Sequence, residues 1–184
     1  MKVDELQIRK GKSLNPKDWH CYEVQYDRIC CPVLWEPEKQ NNFLFFTQLN
    51  DSDTNTFFVV LRHDEELNNI TLDNYLREAY IQLKDDTNEI FKEYSLRELV
   101  FENKKSFYGE FTTDIRDSLF LSLAMYTEVK GIIYDITLKI PAKEREVYYE
   151  LFQDILFNYK INEHFLFSER EEINSIHPID LSTF

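Results

Sequence analysis

Apolar and polar side chains alternate along much of this chain, and the alternation predicts β-strands. Between residues 19 and 35 an alternating stretch runs into an apolar stretch interrupted by a proline, which predicts a first strand with a bend. Residues 43–49 and 57–62 predict the second and third strands, and the third is apolar on both faces and therefore central. Four more strands are predicted between residues 90 and 140, and Val129-Lys130-Gly131 predicts a tight turn before the last of them.

Two segments have the three-to-four-residue apolar spacing of an amphipathic helix. The first is predicted from Thr71, a residue type that caps helices, to about Lys84. Its apolar stripe consists of Leu72, Leu76, Ala79 and Leu83. The second is predicted from Val147 to Tyr159, and its broad apolar side indicates that it lies on a sheet.

The order of these elements predicts an α+β fold, an antiparallel β-sheet of about six to seven strands with two helices packed on it. Residues 1–18 show no periodicity and are predicted to form a flexible N-terminal lead. Residues 19–160 are predicted to form a single domain. Residues 161–184 are a mostly polar tail with spaced apolar side chains, which we expect to pack on the domain or on a partner.

Composition and charge exclude several classes of function. The chain has 184 residues, 15% of them aromatic, and its 34 acidic and 21 basic residues give a net charge of −13. Binders of nucleic acid or of anionic lipid need an excess of lysine and arginine, so the charge argues against both classes. No stretch approaches the ~20 apolar residues of a membrane-spanning helix. We expect a cytoplasmic protein, or a bacterial envelope lipoprotein if an export signal has been removed.

The three cysteines, Cys21, Cys30 and Cys31, are an odd number, which excludes a complete disulfide framework. The sequence predicts three buried thiols in a reducing compartment. Cys21 can pair with one of the other two only across a hairpin. A metal site formed with His20 is a further alternative, although the spacing lacks the CxxC pattern of such sites.

Motifs typical of catalysis are missing from the sequence. None of the four histidines, His20, His63, His164 and His177, lies in a Cys-His or Ser-His motif, and no phosphate-binding loop occurs. Asp51–Asn55 has alternating oxygen ligands but lacks the glycine and the bidentate glutamate of a calcium loop. We therefore predict that the protein is not an enzyme and has no cofactor and no metal.

Several segments match the pattern of one superfamily. They are the Pro-x-x-Trp end of the first strand at Pro32–Trp35, the helix Thr71–Lys84, Phe107–Phe111, the hairpin into Tyr134–Leu138, and the closing helix Val147–Tyr159. Together they resemble the superfamily that contains PsbP, the extrinsic photosystem II protein, and the yeast Ran-binding nuclear import factor. Bacterial lipoproteins and Eag-type chaperones of secreted toxins are relatives. The resemblance implies an α/β/α sandwich and a role as an adaptor, assembly factor or chaperone without catalysis.

The sequence thus predicts a non-enzymatic protein-interaction module that uses an acidic surface or an apolar groove. Carboxylates flank the first helix at both ends and are predicted to bind a protein partner with a basic surface; they are Asp64, Glu65, Glu66, Asp85 and Asp86. An apolar partner surface and a homodimer are alternatives. A module that binds a small hydrophobic ligand or a lipid is the alternative function, and an enzyme of unrecognised type is the third. The phenylalanines of the second and third strands are predicted to be core; they are Phe43, Phe45, Phe46, Phe57 and Phe58.

Overall fold

The computed structural model describes residues 19–38, 43–49, 54–64, 69–85, 90–100, 104–167 and 175–181. The described helices are α1 (Leu72–Asp85) and α2 (Arg145–Asn158), and a short 3-10 turn, Ala142–Glu144, precedes α2. The described strands are β1 (Trp19–Val24), β2 (Asp27–Pro32), β3 (Phe45–Gln48), β4 (Phe57–Asp64), β5 (Ile90–Val100), β6 (Lys105–Ile115), β7 (Ser118–Val129), β8 (Ile132–Pro141), β9 (Lys160–Ile161), β10 (His164–Phe165) and β11 (Ser175–Pro178).

These strands form two antiparallel sheets. The main sheet has seven strands in the order β11-β5-β6-β7-β8-β4-β3, and a small sheet has four in the order β1-β2-β9-β10. The predicted α+β class, the antiparallel pairing and the two helices are confirmed. The described strands are more numerous than the six to seven that the sequence predicted, and they form two sheets rather than one. Long-range pairing explains the difference, because β2 pairs with β9, whose residues lie more than a hundred positions later in the chain.

The predicted first strand is in fact the β1–β2 hairpin, which turns at Gln25 and Tyr26. Gln25 has a φ of 56°, a conformation that the sequence did not signal because neither turn residue is glycine, asparagine or aspartate. The hairpin register places Cys21 directly opposite Cys30, and the two form a disulfide with Cα atoms 4.0 Å apart. The prediction of three free thiols is therefore wrong, and Cys31 is a buried free cysteine.

The local signals for α1 and for the β7–β8 turn are confirmed. The Asn74 backbone N–H donates to Thr71 Oγ1 (3.3 Å) at the start of α1. Lys130 and Gly131 have φ values of 54° and 73°, the left-handed pair that a two-residue hairpin turn requires. In α2 the buried side chains come from the second half of the helix, whereas Val147, predicted to belong to its apolar stripe, is 73% exposed.

Each face of the main sheet is covered by one helix. On one face Leu72 and Leu76 of α1 pack on Phe107, Phe111 and Tyr126. The other face carries the larger core, covered jointly by α2 and the small sheet; it includes Ile29, Trp35, Phe45, Phe58, Leu123, Ile136, Phe152 and Ile155. The small sheet therefore sits beside α2 on the main sheet, and its β9–β10 hairpin reaches the sheet end at which β7 turns into β8.

The predicted core phenylalanines divide between the two faces of β3 and β4. Phe45 and Phe58 are fully buried on the α2 side, as predicted. Phe46 and Phe57 are half-buried on the other side, where their rings lie 5.9 Å apart, and Phe43 is exposed beside them. Strand alternation explains the split, since successive side chains point to opposite faces of a sheet.

Candidate functional site

A cavity of about 530 Å³ opens at the end of the main sheet where β7 turns into β8. Its walls come from the start of β6, the β7–β8 turn and the β9–β10 hairpin. The lining residues are Lys104, Lys105, Glu128, Val129, Lys130, Ile161, Asn162, His164, Phe165 and Leu166. Its volume lies within the range of about 300–1,000 Å³ that is usual for ligand pockets.

The cavity combines cationic side chains with an apolar wall. Lys104 Nζ donates to the carbonyl oxygen of Leu166 and lies 4.6 Å from the centre of the Phe167 ring. Lys130 and His164 are exposed at the opening, and Phe165 remains 49% exposed. An anionic group with an apolar neighbour is the ligand chemistry that such a lining favours.

Lys105 also lines the cavity, but its charge is already compensated. Its Nζ lies 3.1 Å from Asp73 Oδ1 and 3.4 Å from Glu98 Oε1. Partial burial opposes the charged form, yet the hydrogen bond and the charge of Asp73, with those of Glu98, raise the pKa of Lys105. The other charged side chains of the lining are those of Lys104, Lys130 and Glu128.

A buried ion pair fixes the hairpin that forms one wall of the cavity. Asp27 of β2 is fully buried, accepts a hydrogen bond from Tyr159 Oη (3.1 Å) and pairs with Arg62 Nη1 (3.3 Å). Burial raises the pKa of Asp27, although the hydrogen bond from Tyr159 and the charge of Arg62 oppose the shift. In the turn between β9 and β10, the Asn162 backbone N–H donates to the carbonyl oxygen of Tyr26 in the β1–β2 turn (2.8 Å). The cavity wall is thus tied to the disulfide-bonded hairpin.

The structure does not bring the two described members of the predicted acidic site together. Asp64 ends β4 opposite Ile132, beside the β7–β8 turn, whereas Asp85 is exposed at the last residue of α1. Because α1 begins near that turn, where Asp73 pairs with Lys105, its length of about 20 Å carries Asp85 to the other end of the sheet. Glu65, Glu66 and Asp86 lie outside the described residues.

A second cluster of titratable groups is closed beneath α1. Asp135 accepts hydrogen bonds from Tyr75 Oη (2.7 Å) and Thr137 Oγ1 (2.8 Å), and its side chain is only 8% exposed as part of β8. Burial raises the pKa of Asp135, opposed by those hydrogen bonds and by the charge of His63. His63 Nε2 is buried and has no hydrogen-bond partner among the residues that the structure describes. Through Tyr75, these contacts join α1 to β8.

Two metal sites considered from the sequence receive no support from the described residues. Cys21 and Cys30, two of the four residues considered for a site with His20, are joined to each other. Asp51 and Asp53 of the polar hairpin loop lie outside the described residues. Within the part of the chain that the structure describes, no group of three or more histidine, cysteine, aspartate or glutamate residues could hold a metal ion.

Sequence reasoning missed the cavity. Lys104 and Lys105 lie within the region of the four predicted strands, and Phe165-Leu166-Phe167 lies in the segment predicted to be a tail. The one local signal was this apolar triplet directly after His164 in an otherwise polar stretch. The cavity forms only when residues near 105, 130 and 164 meet, which no spacing along the chain encodes. None of the described helices is long and apolar enough to cross a membrane.

Comparison with known proteins shows a structural likeness without a sequence match. No protein-family model matches the chain, and no curated protein matches it. The solution structure of PsbP (CyanoP) from Synechocystis sp. PCC 6803 is similar, with a TM-score of 0.59 and 10% identity over 82% of this chain and 96% of that chain. The crystal structure of PA94, a Pseudomonas aeruginosa protein of unknown function, has a TM-score of 0.43 and 12% identity over 75% and 95%. The predicted PsbP-like resemblance is confirmed at the level of the fold.

Proposed function

We propose that this protein is a non-catalytic accessory protein that binds a partner protein, and that a segment of the partner enters the cavity at the end of the main sheet. The observation that carries the proposal is the cavity itself, whose cationic opening and apolar wall lie on a chain with a net charge of −13. The PsbP-like fold supports the same role, because the relatives implied by the resemblance are mostly adaptors, assembly factors or chaperones. Fold alone does not transfer function, so the site is the primary argument.

The cysteines and the buried carboxylates are in environments that favour binding over catalysis. Burial raises the pKa of the Cys31 thiol to about 12, so its thiolate is scarce near neutral pH. Cys21 and Cys30 are held in the disulfide. The carboxylates with shifted pKa values, Asp27 and Asp135, are buried and hydrogen-bonded within the fold rather than directed into the cavity.

The disulfide is also relevant to the cellular compartment in which the protein works. Disulfides persist in oxidising compartments and are rare in the reducing cytoplasm. We therefore favour an oxidising compartment, such as a bacterial envelope, over the cytoplasm. The acidic surface predicted from the sequence stays in the proposal as a second, longer-range contribution to partner encounter.

A small amphiphilic ligand is the second candidate, because Val129, Ile161, Phe165 and Leu166 give the cavity an apolar wall of the kind that holds an acyl chain. Native mass spectrometry of the purified protein distinguishes the two. A co-purifying small molecule that is lost on replacing Phe165 by aspartate would favour this candidate over a protein partner.

Site-specific photo-crosslinking in the source cell tests the proposed function. A photoreactive phenylalanine analogue at Phe165 should give a cross-linked adduct of one defined partner, identified by mass spectrometry. The matched control is the same analogue at Val147, which is 73% exposed but lies at the far end of the main sheet. Adducts that are missing at Phe165, or identical at the two positions, would overturn the proposal.

A further inference from the structure

We propose that Arg97 binds the carboxylate group of a small organic acid on the α2 side of β5, at a second site that shares no residue with the cavity. The inference goes beyond the proposed function and does not depend on it. Three observations carry it: a buried guanidinium nitrogen without a partner among the described residues, a neighbouring carboxylate that is already in use, and two polar side chains of α2 at the same place.

The first step is the position of Arg97 in the main sheet. On β5 it lies opposite Tyr108 of β6 and Pro178 of β11. Leu99, two residues later on the same strand, belongs to the core on the α2 side, and so does Tyr108. Because side chains at positions i and i+2 of a strand point to the same face, the guanidinium is directed toward the α2 side.

The Arg97 side chain is a buried cation. Arg97 is only 9% exposed, and its Nη1 is buried without a hydrogen-bond partner in the part of the chain that the structure describes. A buried charge is costly unless it is paired and hydrogen-bonded. The guanidinium presents a planar fork of donors that matches the two oxygens of a carboxylate, so a carboxylate satisfies both the charge and the geometry.

Glu110, a carboxylate on the same face of the sheet, is already in use. Its Oε1 accepts hydrogen bonds from Arg145 Nη2 (2.9 Å) and from Tyr108 Oη (2.9 Å). Its Oε2 accepts a hydrogen bond from Arg145 Nε (3.2 Å). Glu110 and Arg145 therefore compensate each other in a two-pronged ion pair, and one monovalent anion is enough to balance the charge of Arg97.

Two polar side chains of α2 meet Arg97 at this place. Burial raises the pKa of Tyr149, whereas a hydrogen bond with Gln153 and the charge of Arg97 oppose the rise, so both groups lie near the Tyr149 hydroxyl. Gln153 is itself only 7% exposed and brings a buried amide. The other neighbours, Leu99 and Tyr108, are apolar or aromatic, which favours an organic acid over an inorganic anion.

Thermal unfolding of the full chain in sodium acetate tests the inference, with acetate exchanged for chloride at constant ionic strength. A ligand that binds only the folded state raises the melting temperature, by about 3–6 °C at ten times the dissociation constant for a chain of this size. The Arg97→Met variant should lose this shift. In chloride alone this variant should melt above the wild type, because an apolar side chain replaces an unpaired buried cation.

Arg116→Met is the matched control, since it removes the same charge from an exposed residue in the β6–β7 turn. It lies about 25 Å along β6 from Tyr108, the residue opposite Arg97. This variant should keep the acetate shift of the wild type. In nitrogen-15 NMR spectra, the Arg97 Nε–H signal, identified by its loss from Arg97→Met, should also move during the acetate titration.

Three outcomes would overturn the inference. Equal acetate shifts in the wild type and in Arg97→Met would show that acetate acts elsewhere. A melting temperature of Arg97→Met below that of the wild type in both salts would show that a carboxylate of the chain itself pairs with Arg97. A larger shift with sodium phosphate than with acetate would show a site for a tetrahedral anion instead of a carboxylate. None of these outcomes alters the cross-linking test of the cavity.

Discussion

Reducing the Cys21–Cys30 disulfide should destabilise the whole domain and loosen the wall of the cavity. The bond closes a loop of about ten residues between directly opposed positions of β1 and β2. The chain-entropy relation for such a loop gives about 2.7 kcal/mol of stabilisation at 25 °C, through restriction of the unfolded chain. For a domain of this size that corresponds to a fall in melting temperature of about 5–10 °C.

The assay combines thiol counting with thermal unfolding. Denatured without reductant, the protein should show one reactive thiol, that of Cys31, and after reduction three. Dithiothreitol should lower the melting temperature of the wild type, whereas the Cys21→Ala/Cys30→Ala double variant should already melt low and not respond to the reductant. Amide exchange at Asn162 should also accelerate on reduction, because its N–H donates to Tyr26 of the same hairpin.

The Cys31→Ala variant is the matched control, since it removes a buried thiol but leaves the disulfide. It should keep the full difference between the oxidised and reduced melting temperatures. Three reactive thiols in the unreduced protein, or a melting temperature that reductant does not change, would refute the assignment of the disulfide and its part in holding the small sheet.

Three further predictions follow from the charged groups. Reversing the five acidic residues Asp64–Glu66 and Asp85–Asp86 to lysine should slow association with a basic partner in stopped-flow mixing. An unchanged salt dependence of the rate would contradict the acidic surface. The folded-state pKa of Asp135 is raised by burial, so this carboxyl stabilises the protein more as the pH falls through that pKa. In urea unfolding, the free energy of unfolding of the wild type should therefore increase relative to that of Asp135→Asn as the pH falls toward 3.8, the ordinary pKa of the carboxyl, and a constant difference would contradict this. Arg62→Met should cost about 3 kcal/mol in the same assay because it leaves the carboxylate of Asp27 buried and unpaired, and adding Asp27→Asn should recover part of the loss.

The sequence by itself determined the elements whose signals are local. The stripe containing Leu72 and Leu76 placed α1 to within a residue at each end, because helical periodicity depends only on nearby side chains. The alternation along β8 likewise predicted that strand, because side chains alternate between the two faces of a sheet. Gly131 predicted the turn before it, because glycine adopts a positive φ without a steric penalty. The α+β class and the PsbP-like fold followed from the order of such elements.

Only the tertiary structure decided how distant segments meet. The turn at Gln25 carries no local signal, yet it creates the hairpin that aligns Cys21 with Cys30. Pairing of β2 with β9 depends on contacts between residues near 27 and near 161, and the same contacts set the position of the cavity wall. Single-sequence periodicity reports which face of an element is buried but not which other element covers it. For that reason the helices and most strands were predictable, whereas the disulfide, the small sheet and the candidate site were not.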